Sequence, residues 1–321
     1  MLSEWMVLAL LMAPPVKPGG ERVDARSQAA PDAVVEIDGA GGTLKIVGWD
    51  KPEVWVTGTL GDGAEGLELG GTPRRIRVDL EVAGNPNRVN SNLEIRVPAG
   101  ARIEVDAMSA DIDVLDVTGT VTADTVAGSI SVSGTASEVT LESVNGSVDV
   151  ACSCTRAHVE SVNGSVTVKG ARGEVEASTV NGTLRVVGGS FERARLETVN
   201  GRITFEGELQ RRATLDVESV GGSVELLLPA ATNADFDINT FSGTIRNAWG
   251  VESRKASRWT DEKELAFTAG RGGATVTIQT LSGDVIITKR DSDAQRAKPN
   301  SLRRSERGLW GALRRAPQPK E

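Results

Sequence analysis

The sequence predicts an all-β protein, a single-stranded β-solenoid with about 18–21 residues per rung, and three observations carry that prediction. The first is a hexad that recurs with a terminal glycine or one residue beyond it: ADTVAG, ESVNGS twice, STVNGT, ETVNGR and ESVGGS. Its glycines, Gly128, Gly146, Gly164, Gly182, Gly201, Gly222 and Gly243, stand 18, 18, 18, 19, 21 and 21 residues apart. A fixed period near 20 residues is the mark of stacked units that each lean on their neighbours. The second is alternation: Leu141, Val159, Ala177, Leu196, Val217 and Ile238 lie five residues before the glycine, and Ile130, Val148, Val166, Leu184, Ile203, Val224 and Ile245 two residues after it. Apolar residues spaced by two on both sides of a short turn describe half-buried strands. The third is composition: 36 glycines, 3% aromatics and no tyrosine in 321 residues suit a thin repetitive β structure more than a large mixed core.

The turn itself is Asn145-Gly146, Asn163-Gly164, Asn181-Gly182 and Asn200-Gly201. Asn-Gly also closes antiparallel hairpins, but the constant period favours coils stacked in register at roughly 4.8 Å per rung. About nine rungs would make a rod on the order of 40 Å. The glycine is expected to supply positive φ at the corner. The Asn column is expected to hydrogen-bond along the stack, and the Ser/Thr column (Ser143, Ser161, Thr179, Thr198, Ser219) to tuck its hydroxyls into it.

Four segments follow in order. Residues 1–31 hold a short apolar run from Trp5 to Ala13, too short to span a bilayer as a helix and similar to the apolar part of a secretory signal, then a flexible lead-in rich in Pro and Ala. Residues 32–100 alternate as strands without a strict period and are expected to cap the solenoid. Residues 101–290 carry the repeat, through Gly283, with VESRKASRWTDEKE from Val251 as a loop leaving the stack. Residues 291–321 form a basic tail with Leu302, Leu309, Trp310 and Leu313, expected to be disordered or to lie on an anionic membrane or a partner.

The formal charge is −8, yet Lys289–Glu321 carries +6, which leaves −14 on the first 288 residues. So acidic a body argues against nucleic-acid binding, which needs clustered basic residues. Asp106, Asp124, Glu142, Glu160, Glu197 and Glu218 share the position four before the glycine. Glu142, Glu160, Glu197 and Glu218 are the candidates for calcium, against the plainer reading of a solvated acidic face. His158, the only histidine, is expected to point outward near a carboxylate, with no catalytic signature beside it. Arg172, Arg185 and Arg202 fall in different columns, so the clustered face of a polysaccharide-cleaving β-helix is not expected. Cys152 and Cys154 are either two thiols at a tight corner or, in an exported chain, a disulfide.

The chain resembles the bacterial putative-adhesin family, a domain of unknown function with a repetitive β-solenoid. The resemblance rests on GGTLKIVGWDKPEVWVTG from Gly41, the S-V-N-G-S rungs, and GRGGATVTIQTLSGDVIITK from Gly270. It implies an envelope or cell-surface protein and brings no catalytic residue. The expectation is therefore a non-enzymatic, exported module of the periplasm or cell surface, without cofactor, that binds an envelope or surface partner, protein or glycan, through a repetitive face. The alternatives are a scaffold that self-associates through its terminal rungs, with Val285 in the last, and a glycan-binding or carbohydrate-active β-helix.

Overall fold

A computed structural model describes residues 20–82, 90–256 and 259–290. Every regular element among them is a β-strand. The expected secretory segment and basic tail lie outside the described residues. The chain divides into two compact units, residues 1–166 and 167–321.

In the first unit the repeat stacks in parallel and in register. Arg102–Leu115 pairs with Thr120–Ala127, which pairs with Glu138–Asn145, which pairs with Arg156–Asn163. On the far side of each corner, Ile130–Gly134 pairs with Val148–Cys152. One parity of each strand faces inward, so Val121, Ala123, Val139, Leu141, Ala157 and Val159 are almost wholly buried. Each such side chain removed from water contributes on the order of 1–3 kcal/mol for the larger aliphatics.

The N-terminal rungs do not follow chain order. Val34–Trp49 lies between Arg102–Leu115 on one side and the Arg75–Val82 and Ser91–Pro98 strands on the other, parallel to all three. Ala64–Thr72 then covers Arg75–Val82 antiparallel, and Glu53–Leu60 covers Ser91–Pro98 antiparallel. The cap is thus closed by antiparallel strands, which blunt an exposed parallel edge. Glu21–Gln28, expected within the flexible lead-in, is a strand antiparallel to Glu53–Leu60. Its Trp55 partner row, with Trp49 stacked at 5.9 Å and the Arg26 guanidinium 4.2 Å above the Trp55 ring, holds it there.

The second unit has an interleaved order of its own. Arg172–Asn181, Leu184–Asn200 and Ile203–Gly221 follow one another in register. The next strand on the stack is Ala274–Ser282, and Ala234–Ser242 lies beyond it. The rung of Gly283 therefore separates those of Gly222 and Gly243, and Val285 sits opposite both Val224 and Ile245. Val285 was expected in a terminal rung; it is an inner one. The segment from Val251, expected to leave the stack as a loop, is mostly irregular among its described residues, broken by the short strand Arg254–Lys255, and ends in Lys263–Ala269, which pairs antiparallel with Ala234–Ser242. Phe236, Phe267 and Trp249 pack there, with Phe236 and Phe267 stacked at 4.5 Å.

At the corners the glycines serve a different purpose from the one expected. Among the turn glycines, Gly128 and Gly222 have φ of 138° and 155°, whereas Gly146, Gly164, Gly182, Gly201, Gly243 and Gly283 keep ordinary φ. What excludes a side chain is the neighbouring rung: a Cβ on Gly146 would run into the carbonyl oxygen of Gly128, and one on Gly164 into that of Gly146. In the second unit the same holds for Gly201 on Gly182, Gly283 on Gly222 and Gly243 on Gly283.

Replacing Gly146 with alanine should therefore force two backbones apart and cost about 1–3 kcal/mol, the range of overpacking, while Val144→Ala, exposed one residue before Asn145, should stay within about 0.5 kcal/mol. Urea denaturation of the two variants measures the difference, and equal midpoints would remove the corner contact as the cause.

Candidate binding faces

Because the strands stack in register, any residue that points outward recurs as a row. In the first unit one such row is acidic. Asp79 lies opposite Asp38, Asp38 opposite Asp106, Asp106 opposite Asp124, Asp124 opposite Glu142, and Glu142 opposite Glu160. Neighbours across parallel strands are about 4.8 Å apart, where like charges oppose each other. Burial, and after it the carboxylates of Glu142 and Asp106, hold Asp124 above its ordinary pKa. Asp38 is raised as well, first by burial and next by Asp79.

Two residues further along each strand, on the same outward face, stands an apolar row of Met108, Val126, Val144 and Val162, each about two-fifths exposed. Between these rows the inward positions are filled by Thr125, Ser143 and Ser161, all buried. Ser143 donates to the carbonyl of Gly128 at 3.1 Å and Ser161 to that of Gly146 at 2.9 Å. The hydroxyl column is therefore part of the corner. The amides behave similarly: Asn163 Nδ2 donates to Asn145 Oδ1 at 3.1 Å, and in the second unit Asn200 Nδ2 donates to Asn181 Oδ1 at 3.3 Å.

His158 lies opposite Thr140 and points outward as expected, with Nε2 3.4 Å from Glu160 Oε1. One ligand atom each from Glu142, His158 and Glu160 lie within 4.8 Å of one another. An imidazole nitrogen with two carboxylates is a donor set for a divalent transition ion; calcium prefers oxygen alone. The other two calcium candidates, Glu197 and Glu218, also meet across one rung. Their charge is met within the chain, since Arg195 pairs with Glu197 and lies 3.9 Å from Glu218. The structure joins Cys152 to Cys154 as a disulfide, with both residues buried.

The second unit carries a groove of about 700 Å³ on its outward face. Its floor is an apolar row in the interleaved order Val180, Val199, Val220, Leu281, Phe241, as the registers dictate. Val220, Leu281 and Phe241 are 47%, 54% and 51% exposed. Beside it runs the row Ser178, Glu197, Glu218, Gln279 and Asn239, and Glu262 completes the wall. The sequence reading took the acidic column and passed over this valine column. The signal was present, because Val144, Val162, Val180, Val199 and Val220 share the position two before the glycine and have outward parity.

Inward aliphatics, corner glycines and outward rows define the class of this protein, an all-β repeat whose surfaces are built from stacked columns. The chain belongs to the Toastrack DUF4097 family, whose model matches residues 25–288. No curated protein matches it. Several solved structures are similar to it. A putative adhesin from Parabacteroides distasonis is 10% identical with a TM-score of 0.46, over 84% of this chain and 97% of that one. A putative adhesin from Parabacteroides merdae is 11% identical with a TM-score of 0.38, over 86% and 99%. A putative cell adhesion protein from Clostridium sporogenes is 9% identical with a TM-score of 0.21, over 84% and 100%.

A raised carboxylate pKa fixes the sign of a pH effect. Ionised Asp124 weakens the fold above its raised pKa; the penalty fades as pH falls through that value and is gone below the ordinary aspartate pKa of about 3.9. Asp124→Asn should raise the thermal midpoint at pH 7 and lose that advantage near pH 3, measured by calorimetry at both pH values. An advantage that persists in acid would mean that the ionised carboxylate is not its source.

Proposed function

We propose that this chain is a non-enzymatic, adhesin-like module of the bacterial envelope or cell surface that binds a partner through the outward rows of its stacked strands. The observation that carries the reading is the pairing, in the first unit, of a six-carboxylate row with an exposed row of Met108, Val126, Val144 and Val162. Contiguous exposed apolar side chains rimmed by polar ones are the pattern of interaction surfaces, and extended stacked faces are what repeat proteins use for binding. A disulfide between Cys152 and Cys154 suits an oxidising compartment outside the cytoplasm. The non-enzymatic part of the reading is supported by how the fold uses its polar groups. Ser143 and Ser161 donate inward to corner carbonyls, so these buried hydroxyls serve the corner, and the exposed asparagines pair with one another along the stack.

Fractionation of producing cells and sequencing of the mature N-terminus should recover the protein outside the cytoplasm. In an attachment assay of those cells on surfaces coated with extracellular protein or polysaccharide, Val144→Ser with Val162→Ser should reduce attachment, with the fold retained by circular dichroism. Recovery of an intact chain in the cytoplasm would overturn the reading.

A further inference from the structure

The first 288 residues carry a net charge of −14, yet one corner of the second unit gathers arginines that no carboxylate answers. A cavity of about 870 Å³ opens there, and Arg211, Arg212 and Arg271 line it. On the strands of the same unit Arg193 faces Glu174, Arg195 faces Glu197, Arg202 faces Glu225 and Arg254 faces Glu264. The three guanidinium groups of the cavity make no ion pair among the described residues. Glu208 is the one carboxylate in the lining, and it lies 3.7 Å from Arg290.

The strand registers bring these arginines together from distant parts of the chain. Thr214 lies opposite Thr275, and Ala274 opposite Ala234. The turns that lead into these strands therefore follow one another on adjacent rungs, about 4.8 Å apart. The first turn is an insertion: Phe191 faces Leu209 and Arg193 faces Thr214, so a step of two residues on one strand meets a step of five on the next. That surplus carries Arg211 and Arg212 out of the stack, both exposed. Arg212 has a φ of 67°, a left-handed conformation that costs a long side chain strain and would cost glycine none. The second turn carries Arg271 between Gly270 and Gly272, at φ of 62° and 68°. The Arg271 backbone N–H donates to Asn233 Oδ1 at 2.8 Å, which ties this turn to the third. Both arginine-bearing turns are thus held by the stack.

We propose that this corner binds an anionic oligosaccharide, whose sulfate or carboxylate groups pair with Arg211, Arg212 and Arg271 and whose hydroxyls meet Gln210, Thr232 and Asn233. A guanidinium offers parallel N–H donors that match a pair of anionic oxygens. Amides and a hydroxyl beside it suit sugar hydroxyls, which both donate and accept. A cavity of about 870 Å³ has the size of a site for a chain of a few sugars and exceeds the need of a single inorganic anion. No aromatic ring lines it for a nucleic-acid base to stack on. Leu209 and Pro229 are its largest apolar side chains, too little to seat an acyl chain or the apolar anchors of a peptide. The site uses none of the outward rows and stands whether or not the first unit binds a partner.

The probe is a heparin-derived hexasaccharide, which carries sulfates and uronates, titrated calorimetrically into the full-length chain, with hydrogen exchange to locate the contact. The expected result is protection of residues 208–213 and 270–274, with binding that weakens as salt is added and no binding of a neutral dextran oligosaccharide of the same length. Arg211→Gln with Arg271→Gln should weaken binding about tenfold, the order of two exposed charge-assisted pairs. Arg212→Gly should weaken it without lowering the thermal midpoint, because glycine adopts that φ freely; a fall in the midpoint would mean that Arg212 serves the fold. The basic tail is a competing site, so Arg303→Gln, Arg304→Gln, Arg314→Gln and Arg315→Gln are combined in one variant, in which the corner should remain protected. Binding lost with the tail arginines and kept without those of the corner would overturn the proposal, as would equal affinity for dextran. Tighter binding of phosphatidylglycerol vesicles or of a polyglutamate peptide at the same corner would also overturn it, since the occupant would then be a lipid or an acidic peptide.

Discussion

Everything in this fold depends on the close approach of backbones at the corner, where the carbonyl of one glycine occupies the space a Cβ on the next would need. Strands about 4.8 Å apart leave no room for a side chain that points along the stacking direction. Once a corner is closed in this way, the next rung must place a glycine at the same point, and the residues around it inherit fixed roles. The residue three before the glycine is a buried Ser or Thr, whose hydroxyl reaches a corner carbonyl at Ser143 and Ser161 and is left unpaired at Thr198 and Ser219. The residues two and four beyond it fill the core, as Val148 and Val150 do. Only the outward parity remains unconstrained by packing, and that is where the rows described above differ between the two units.

The same constraint explains which parts of the structure could be read from the sequence. Glycine spacing and the aliphatic columns reveal the rungs because each rung repeats the same demands. The order of the rungs is another matter. An inner strand such as Val34–Trp49 or Ala274–Ser282 presents apolar residues to both neighbours, and any other rung satisfies it equally well, so nothing local in its sequence states which two will flank it. The capping strands were hidden for the opposite reason. Lys263–Ala269, whose first two residues close the polar stretch from Val251, and Glu21–Gln28, within the lead-in, pair antiparallel at an edge and bury one side at most. The reason for the turn glycines was also misjudged, since Asn-Gly suggests positive φ whereas most of these glycines answer to a neighbour that is 18 or more residues away.

The candidate faces were half legible for a related reason. A column of carboxylates announces itself, because charge has no place in a core. A column of valines does not, since valine is the ordinary filling of a strand; only its parity relative to Leu141 or Val159 reveals that it faces water. Stacking in register then makes each choice collective. Burial first, and then the carboxylates on either side, raise Asp124 and Asp38, and a single arginine in the right column, Arg195, meets the pair that it touches.

The insertion of the Gly283 rung between those of Gly222 and Gly243 has a consequence for biosynthesis. A solenoid whose rungs stack in chain order can add each coil to a finished template as it leaves the ribosome. Here Ala234–Ser242 is made 40 residues before the strand it rests on, Ala274–Ser282. Until synthesis passes Arg290, the Gly222 rung is paired on one side alone, with the Gly201 rung, and the Gly243 rung has no seat. The second unit can be completed only by a late, non-local step, and its edge strands stay open for as long as that stretch of chain takes to appear.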